Sequence, residues 1–285
     1  MIENHNIEDW VEEADEEELP FREAVHTILA AIAQSPNLNE NMIIKGGILL
    51  AIRYKSKRFT KDIDFSTPRK LAEIPPEKVR EFLDRALTQT VEELDYDLDC
   101  RVQKCKVNPK DPEATFPSIE LKVGYAYKGS PQHKRLLAGQ SATVVSIDYS
   151  LNEHTPNVEN LTLGIDGELK AYALTDLIAE KYRAVLQQAE RKRQRRQDIF
   201  DLFFLLDSIA EFDGHEKYEI LTSLVFKARS RGIEPHINSL DDSEIYERAK
   251  AEYPTLANEI EGELPDFDEI YSRVTEFYKS LDWPS

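Results

Sequence analysis

Phe21, Val25, Ile28, Leu29 and Ile32 recur at spacings of three and four, which predicts a helix over 21–34. SPNLNEN (35–41) interrupts it. MIIKGG (42–47) reads as a short strand running into a glycine turn, and ILLAIRYKS (48–56) as a short buried helix. FTKDIDFS (59–66) reads as a strand closed by Thr67-Pro68. In PPEKVREFLDRALTQTVEEL (75–94) a proline opens an amphipathic helix whose Val79, Leu83, Leu87, Val91 and Leu94 fall roughly in line. Three extended segments follow, near 97–107, 118–127 and 142–150, the last two separated by the hairpin-like gap YKGSPQHKRLLAGQ. In TVVSIDYS, Val145, Ile147 and Tyr149 take one face and Val144, Ser146 and Asp148 the other.

From about residue 168 the pattern is helical throughout. LTDLIAEKYRAVLQQ has Thr175 placed as an N-cap, and RRQDIFDLFFLLDSIA is a strongly apolar helix. Three more helices are expected, interrupted at RGIEP, YP and ELPDF. The expected class is α+β: an acidic arm or helix (1–20), a mixed core domain (21–167) and a helical domain (168–285).

Composition changes the picture little. The 285 residues are 41% hydrophobic and 32% charged, with no run near the roughly 20 apolar residues of a membrane helix. The N-terminal stretch has neither a basic nor an apolar signal-peptide region, so the expected location is the cytoplasm. Cys100 and Cys105 fit no zinc or redox spacing; on one strand they would point to opposite faces, and they read as reduced thiols. The six histidines form no ligand pattern.

Charge matters more. The formal net charge of −18 repels nucleic acid at long range. Its distribution is uneven: residues 3–18 hold nine acids and no Lys or Arg, while RKRQRR (191–196) holds five positive charges. Arg191, Lys192, Arg193, Arg195 and Arg196 are therefore candidate RNA contacts, set against the ordinary reading of a solvated helix face.

The candidate chemistry lies in IIKGGILLAIRYKSKRFTKDIDFS (43–66). Asp62 and Asp64 share a strand face, so both carboxylates can reach one hard divalent cation, magnesium (or manganese) for choice. Gly46 and Gly47, before a short helix, let backbone N–H groups approach a phosphate. Alone, an aspartate pair is a common surface-strand feature and a glycine pair a turn. Together, with Lys45, Arg58 and Lys61 nearby, they are what phosphoryl or nucleotidyl transfer requires.

This stretch resembles the KGG-(T/S)-x-L…RFS-x-DIDF signature of the AbiEii-type nucleotidyltransferases. These are toxins of bacterial abortive-infection toxin–antitoxin pairs, within the DNA polymerase β-like nucleotidyltransferase superfamily. VSIDYSLNE (145–153) is similar to the family strand bearing a third carboxylate, and LKAYALTDLIAEKYRAVLQQ…RRQDIFDLFFLL to its helical block. The resemblance implies a nucleotidyltransferase-type mixed sheet with a helical domain after it. It assigns Asp62, Asp64 and Asp148 to the metals, with Asp148 also polarising the attacking hydroxyl. It assigns Lys45, Gly46, Gly47, Arg58, Lys181 and Asp201 to the nucleotide, and Lys181 and Asp198 to catalysis. Two positions depart from the pattern: Ile48 replaces a phosphate-binding Thr or Ser, and Gln197 replaces the basic residue before Asp198.

Other readings stay open at this point. Glu120 shares a face with Lys122 and either pairs with it or serves as a reserve third carboxylate. Asp198 and Asp201, on an apolar helix, need a cation, and Lys181 is the obvious one. The expected activity is Mg²⁺-dependent transfer of a nucleoside monophosphate from an NTP to an acceptor, tRNA first, by a toxin paired with a cognate antitoxin. The alternatives are transfer to a protein or small cationic molecule, and a non-catalytic nucleotide-binding relative.

Overall fold

The computed structural model describes residues 7–111, 113–192, 194–208 and 211–284. It divides into two compact units, one of residues 1–55 and 60–171, the other of residues 56–59 and 172–285.

The first unit opens with helices α1 (Ile7–Glu12), α2 (Leu19–Gln34) and the single turn α3 (Pro36–Asn39). Strand β1 (Ile43–Lys45) runs directly into α4 (Gly46–Tyr54), and β2 (Asp62–Ser66) and α5 (Pro76–Glu93) follow. Next come β3 (Leu98–Asn108), β4 (Ser118–Tyr127), α6 (Pro131–Leu137), β5 (Val144–Ser150), β6 (Val158–Thr162) and β7 (Glu168–Tyr172). The strands form one mixed seven-stranded sheet in the order β3-β4-β5-β2-β1-β7-β6. β2 pairs parallel with β5, and β1 parallel with β7. The antiparallel pairs are β1–β2, β3–β4 and β4–β5.

Alternation gives the sheet two unlike faces. Ile63, Phe65, Ile119, Leu121, Val123, Val145, Ile147 and Tyr149 lie on one face and are almost wholly buried. Helix α5 closes this face at β3, where Val102 N–H donates to Asp84 at 3.1 Å and the Cys105 thiol reaches the Pro76 carbonyl at 3.7 Å. Fully burying each such aliphatic or aromatic side chain stabilises the fold by about 1.5–3 kcal/mol. The opposite face is polar and carries the residues of interest below.

The second unit holds α7 (Leu174–Arg191), α8 (Arg196–Asp207), α9 (Gly214–Arg229), α10 (Ser243–Lys250) and α11 (Phe267–Lys279). Its core is tied by buried tyrosines: Tyr182 donates to the Val274 carbonyl at 2.8 Å and Tyr271 to that of Leu240 at 2.7 Å. Among the described residues no helix is long and apolar enough to cross a membrane.

Several expectations are corrected. The gap 127–140 contains α6: Ser130 caps it by accepting from the His133 N–H, and Pro131 supplies a preset first residue. The chain after 168 is not all helical, because Glu168–Tyr172 forms β7, its Leu169 and Ala171 buried on one side. With β7 ending at Tyr172, Ala173 takes the N-cap of α7, and Thr175 lies inside the first turn. Gly46 and Gly47 are the first residues of α4 rather than a separate turn. The break 35–41 contains α3. A bulge between Val102 and Lys104 resets the register, so Cys100 and Cys105 lie on the same face of β3 instead of opposite faces; both are free thiols.

Candidate active site

The polar sheet face is built by register. Asp64 stands opposite Asp148 across the parallel β2–β5 pair, and Asp62 opposite Ser146. Lys45 on β1 stands opposite Asp64, and Glu120 on β4 opposite Asp148. Asp62, Asp64, Asp148 and Lys45, far apart in sequence, therefore share one face of three neighbouring strands. The next row is hydroxylic: Ser66, Ser150 and Ser118 are mutual register partners. Lys45 is nearly buried and donates to Ser150 Oγ at 3.3 Å. Ser66 is wholly buried, and its Oγ has no hydrogen-bond partner among the described residues.

Gly46 brings the helix and the carboxylates together. Its φ is +76°, in the left-handed region. A Cβ at this position would lie 2.1 Å from Asp64 Oδ2, so only glycine lets the backbone pass the carboxylate so closely. The N-terminal end of α4, where unsatisfied N–H groups and the helix dipole favour anions, thus begins beside Asp64.

The Asp148 side chain reaches solvent, yet protein packed round its base desolvates it. Burial pushes its carboxyl above the ordinary value, and the nearby Glu120 and Asp62 charges add to this. Lys45 and a hydrogen bond with Ser118 pull the other way without cancelling it.

The donor set suits magnesium. Among the described residues no three His, Cys, Asp or Glu side chains are gathered as a ready-made metal cluster. Magnesium, however, is commonly held by one or two carboxylates plus water and substrate phosphate. Asp62 and Asp64 on one face, Asp148 opposite and the glycine cradle beside Asp64 supply such a set.

Glu120 makes no direct ion pair with Lys122, although the Lys122 charge helps to lower its pKa. It pairs with Lys106 at 2.9 Å and accepts from Asn108 at 3.0 Å, and the Lys106 bond lowers its pKa.

The helical unit holds a second charged group of a different kind. Arg58 donates through Nε and Nη2 to the two Asp201 oxygens at 2.7 and 2.8 Å, a bidentate pair. Lys181 Nζ lies 2.6 Å from Asp201 Oδ2 and 3.4 Å from Asp198 Oδ1. Arg195 approaches Asp198 Oδ2 at 3.6 Å. Asp201 is wholly buried. Burial pushes its carboxyl up, but Arg58 and Lys181 together outweigh that, so it titrates below its ordinary value. Burial likewise pulls Lys181 down, and Asp201 and Asp198 overcome it, so its ammonium titrates above its usual range.

The segment 56–59 is further stitched to this unit by the Phe59 N–H to the Glu259 carbonyl at 2.7 Å and the Glu261 N–H to the Lys57 carbonyl at 3.0 Å. Arg58 therefore has its fork engaged by a carboxylate, and the nucleotide role implied for it competes with that pair.

The 191–196 stretch is equally engaged in part. Arg196 binds Glu259 at 2.6 Å, Lys192 forms the left-handed C-cap of α7, and Arg191 ends that helix. Arg193 lies outside the described residues.

Sequence reasoning missed a buried cluster around Lys227. Its Nζ lies 3.4 Å from Asp176 Oδ2, 3.8 Å from Glu180 and 4.5 Å from the centre of the Tyr172 ring. Asp176 is also hydrogen-bonded by Ser223. Burial raises the Asp176 carboxyl. The available signal was Lys227 in line with Ile220, Ser223 and Leu224 on the buried stripe of α9.

The family model described as nucleotidyl transferase AbiEii toxin, type IV toxin–antitoxin system, matches residues 27–273. The chain belongs to the AbiEii nucleotidyltransferase toxin family. The match spans both the carboxylate face and the Arg58–Asp201–Lys181 group. A crystal structure of a candidate nucleotidyltransferase from Helicobacter pylori is similar over 94% of this chain and 96% of its own, with a TM-score of 0.50 and 15% identity. That of JHP933, also from Helicobacter pylori, is similar over 94% and 92%, with a TM-score of 0.49 and 13% identity. At such identity the first of these is a likeness of fold, consistent with the mixed sheet and helical unit of the AbiEii chain. No curated protein matches it.

Proposed function

We propose that this AbiEii-family chain is a magnesium-dependent nucleotidyltransferase. It transfers a nucleoside monophosphate from an NTP to a hydroxyl of an RNA acceptor, tRNA above all, and releases pyrophosphate. In the cell it acts in the cytoplasm as the toxin of a pair, restrained by a cognate antitoxin. The observation that carries this reading is the placement of Gly46 against Asp64, with Asp148 facing Asp64 across β2–β5.

Asp62 and Asp64 would hold the magnesium, with Asp148 at their side. Bound there, the ion would neutralise triphosphate charge and act as a Lewis acid on the phosphoryl oxygens. Gly46 and Gly47 open α4, so their backbone N–H groups receive phosphate oxygens at the positive end of the helix. Lys45, fixed by Ser150, adds a cation on the same face. Asp148, facing Asp64 across the β2–β5 pair, is the carboxylate placed to accept the acceptor hydroxyl's proton. The hydroxyl oxygen bonds to the α-phosphorus as the bond from that phosphorus to the bridging oxygen breaks. Lys181, Asp198, Asp201 and Arg58 form a charge-compensated support for the segment leading into β2.

The test is incubation of the protein with each α-labelled NTP, Mg²⁺ and total bacterial RNA. Label on a tRNA-sized band, lost with Asp62→Ala plus Asp64→Ala, is the expected result. Label on no acceptor of any kind, despite nucleotide binding, would overturn the enzymatic reading. The net charge of −18 favours one second reading, transfer to a cationic small molecule or protein; label leaving RNA for those fractions would select it.

A further inference from the structure

The polar sheet face extends beyond the carboxylates, and its outer end reverses sign. Lys122 on β4 stands opposite Ser146, which stands opposite Asp62, so Lys122 lies in the same row as Asp62. Lys104 on β3 is its register partner, and Arg101 and Lys106 share that face. Helix α6 lies on this face too. A Cβ on Gly124 would meet Leu136 at 2.9 Å, and His133 binds Asp99 at 2.9 Å. The helix adds exposed Lys134 and Arg135. Among the described residues the acids that meet these bases are Asp99, shared by Arg101 and His133, and Glu120, held by Lys106 and near enough to Lys122 for the two charges to interact. Among the described residues Lys104 and Lys122 form no ion pair. In a chain of net charge −18, this is a concentrated basic surface beside the candidate active site.

Like charges directly opposite on paired strands destabilise the sheet. Lysine on an edge strand such as β3 has an ordinary use in blocking edge-to-edge pairing. That does not account for Lys122, which sits on the interior strand β4, opposite Lys104. Two repelling ammonium groups there fit a polyanion laid across both. The reach also matters: at about 4.8 Å per strand, the row from Asp62 to Lys104 spans roughly 14 Å, leading away from the Gly46–Gly47 phosphate cradle. A triphosphate in that cradle would lie on the opposite side of the carboxylates, so the basic row suits the other substrate.

We infer that the Lys104–Lys122 face of β3 and β4, flanked by α6, is the track for the phosphate backbone of the RNA acceptor. This rests on the RNA-acceptor reading above and adds where the RNA lies. It also moves the principal contact away from 191–196, where Arg196 is held by Glu259.

The experiment measures affinity for total tRNA across a salt series for the full chain, for Lys104→Glu plus Lys122→Glu, and for Arg191→Glu plus Lys192→Glu. Binding of a fluorescent NTP analogue and thermal midpoints are recorded for each. The β3–β4 pair of substitutions is expected to weaken RNA at least tenfold. It should reduce the salt slope by about 1.4–1.8, the share of two phosphate contacts, with NTP binding unchanged. The α7 pair should have a smaller effect. Lys104→Glu alone sets opposite charges across the strands, so it should lose RNA affinity while keeping or raising the thermal midpoint, which a purely structural role would not produce. Wild-type binding of RNA with an unchanged slope in the β3–β4 variant overturns the track alone. A wild type that neither binds nor labels RNA overturns the acceptor reading and the track with it.

Discussion

The two charged groups of this protein answer burial in opposite ways. On the sheet face, Asp62, Asp64 and Asp148 stand in neighbouring register positions with Lys45 as the cation beside them, and the Asp148 carboxyl is raised. In the helical unit, Asp201 is more deeply buried, yet a bidentate arginine and a lysine hold its carboxyl below the ordinary value. The second arrangement is complete in itself. In the first, burial and the neighbouring Glu120 and Asp62 charges outweigh Lys45 at Asp148. The difference is one of compensation: Asp201 is buried with its cations in direct contact, whereas the sheet-face aspartates stand on a polar surface with part of their charge open to solvent.

The sharpest way to break the comparison is to neutralise both groups in turn. Asp62→Ala with Asp64→Ala should lower nucleotidyl transfer by at least about 10⁴-fold, roughly 5.4 kcal/mol of barrier, because charge stabilisation at the phosphates is lost. Its thermal midpoint in EDTA should equal or exceed wild type, since like-charge repulsion is relieved. A variant still fully active by labelled-NTP assay would end the metal-site reading. Asp201→Ala should behave inversely, with urea unfolding showing a loss of about 3–5 kcal/mol as Arg58 and Lys181 are left buried without their partner. An unchanged unfolding midpoint would show that the network does not support the fold.

Magnesium sharpens the contrast. At 100 times its Kd the ion should stabilise wild type by about 2.7 kcal/mol and the Asp62/Asp64 variant not at all, read as thermal shifts. Gly46→Ala should cost about 1–3 kcal/mol through its left-handed backbone, and reduce transfer by displacing Asp64. The smallest effect is on pH dependence. The folded pKa of Asp201 lies below its unfolded value of about 3.9, so its stabilisation is present above that value and is lost as pH falls through the folded one. The stability gap between wild type and Asp201→Asn should therefore narrow on acidification below pH of about 4 in urea titrations. Asp176, raised by burial, carries the opposite sign: its native state holds the proton more tightly, so its term falls as pH rises through the shifted range.

The parts of this site written in short stretches were legible. DIDFS and VVSIDYS alternate cleanly, so which residues share a face followed from strand geometry. What alternation cannot state is which strand lies beside which. The facing of Asp64 and Asp148 comes from a parallel pair separated by two helices and two further strands. The basic row was missed for the same reason, since Lys104 and Lys122 look unremarkable until register sets them opposite each other. The bulge after Val102 defeated a strict count of two for the cysteines. Helix α6 hid behind Gly129, Pro131 and Gly139, residues that punctuate loops but here flank and open a short helix. Arg58 was read with the phosphates because it sits near them in sequence; its partner lies 143 residues away.

That separation has a consequence for synthesis. Residues 56–59 fold with the helical unit although the chain on both sides of them folds with the sheet. A ribosome adding about 5–20 residues per second makes Asp201 roughly 7–29 s after Arg58. Until then Arg58 lacks the carboxylate that its fork binds. In a nascent AbiEii-family chain of this kind residues 56–59 therefore meet their partners only after the helical unit has been made.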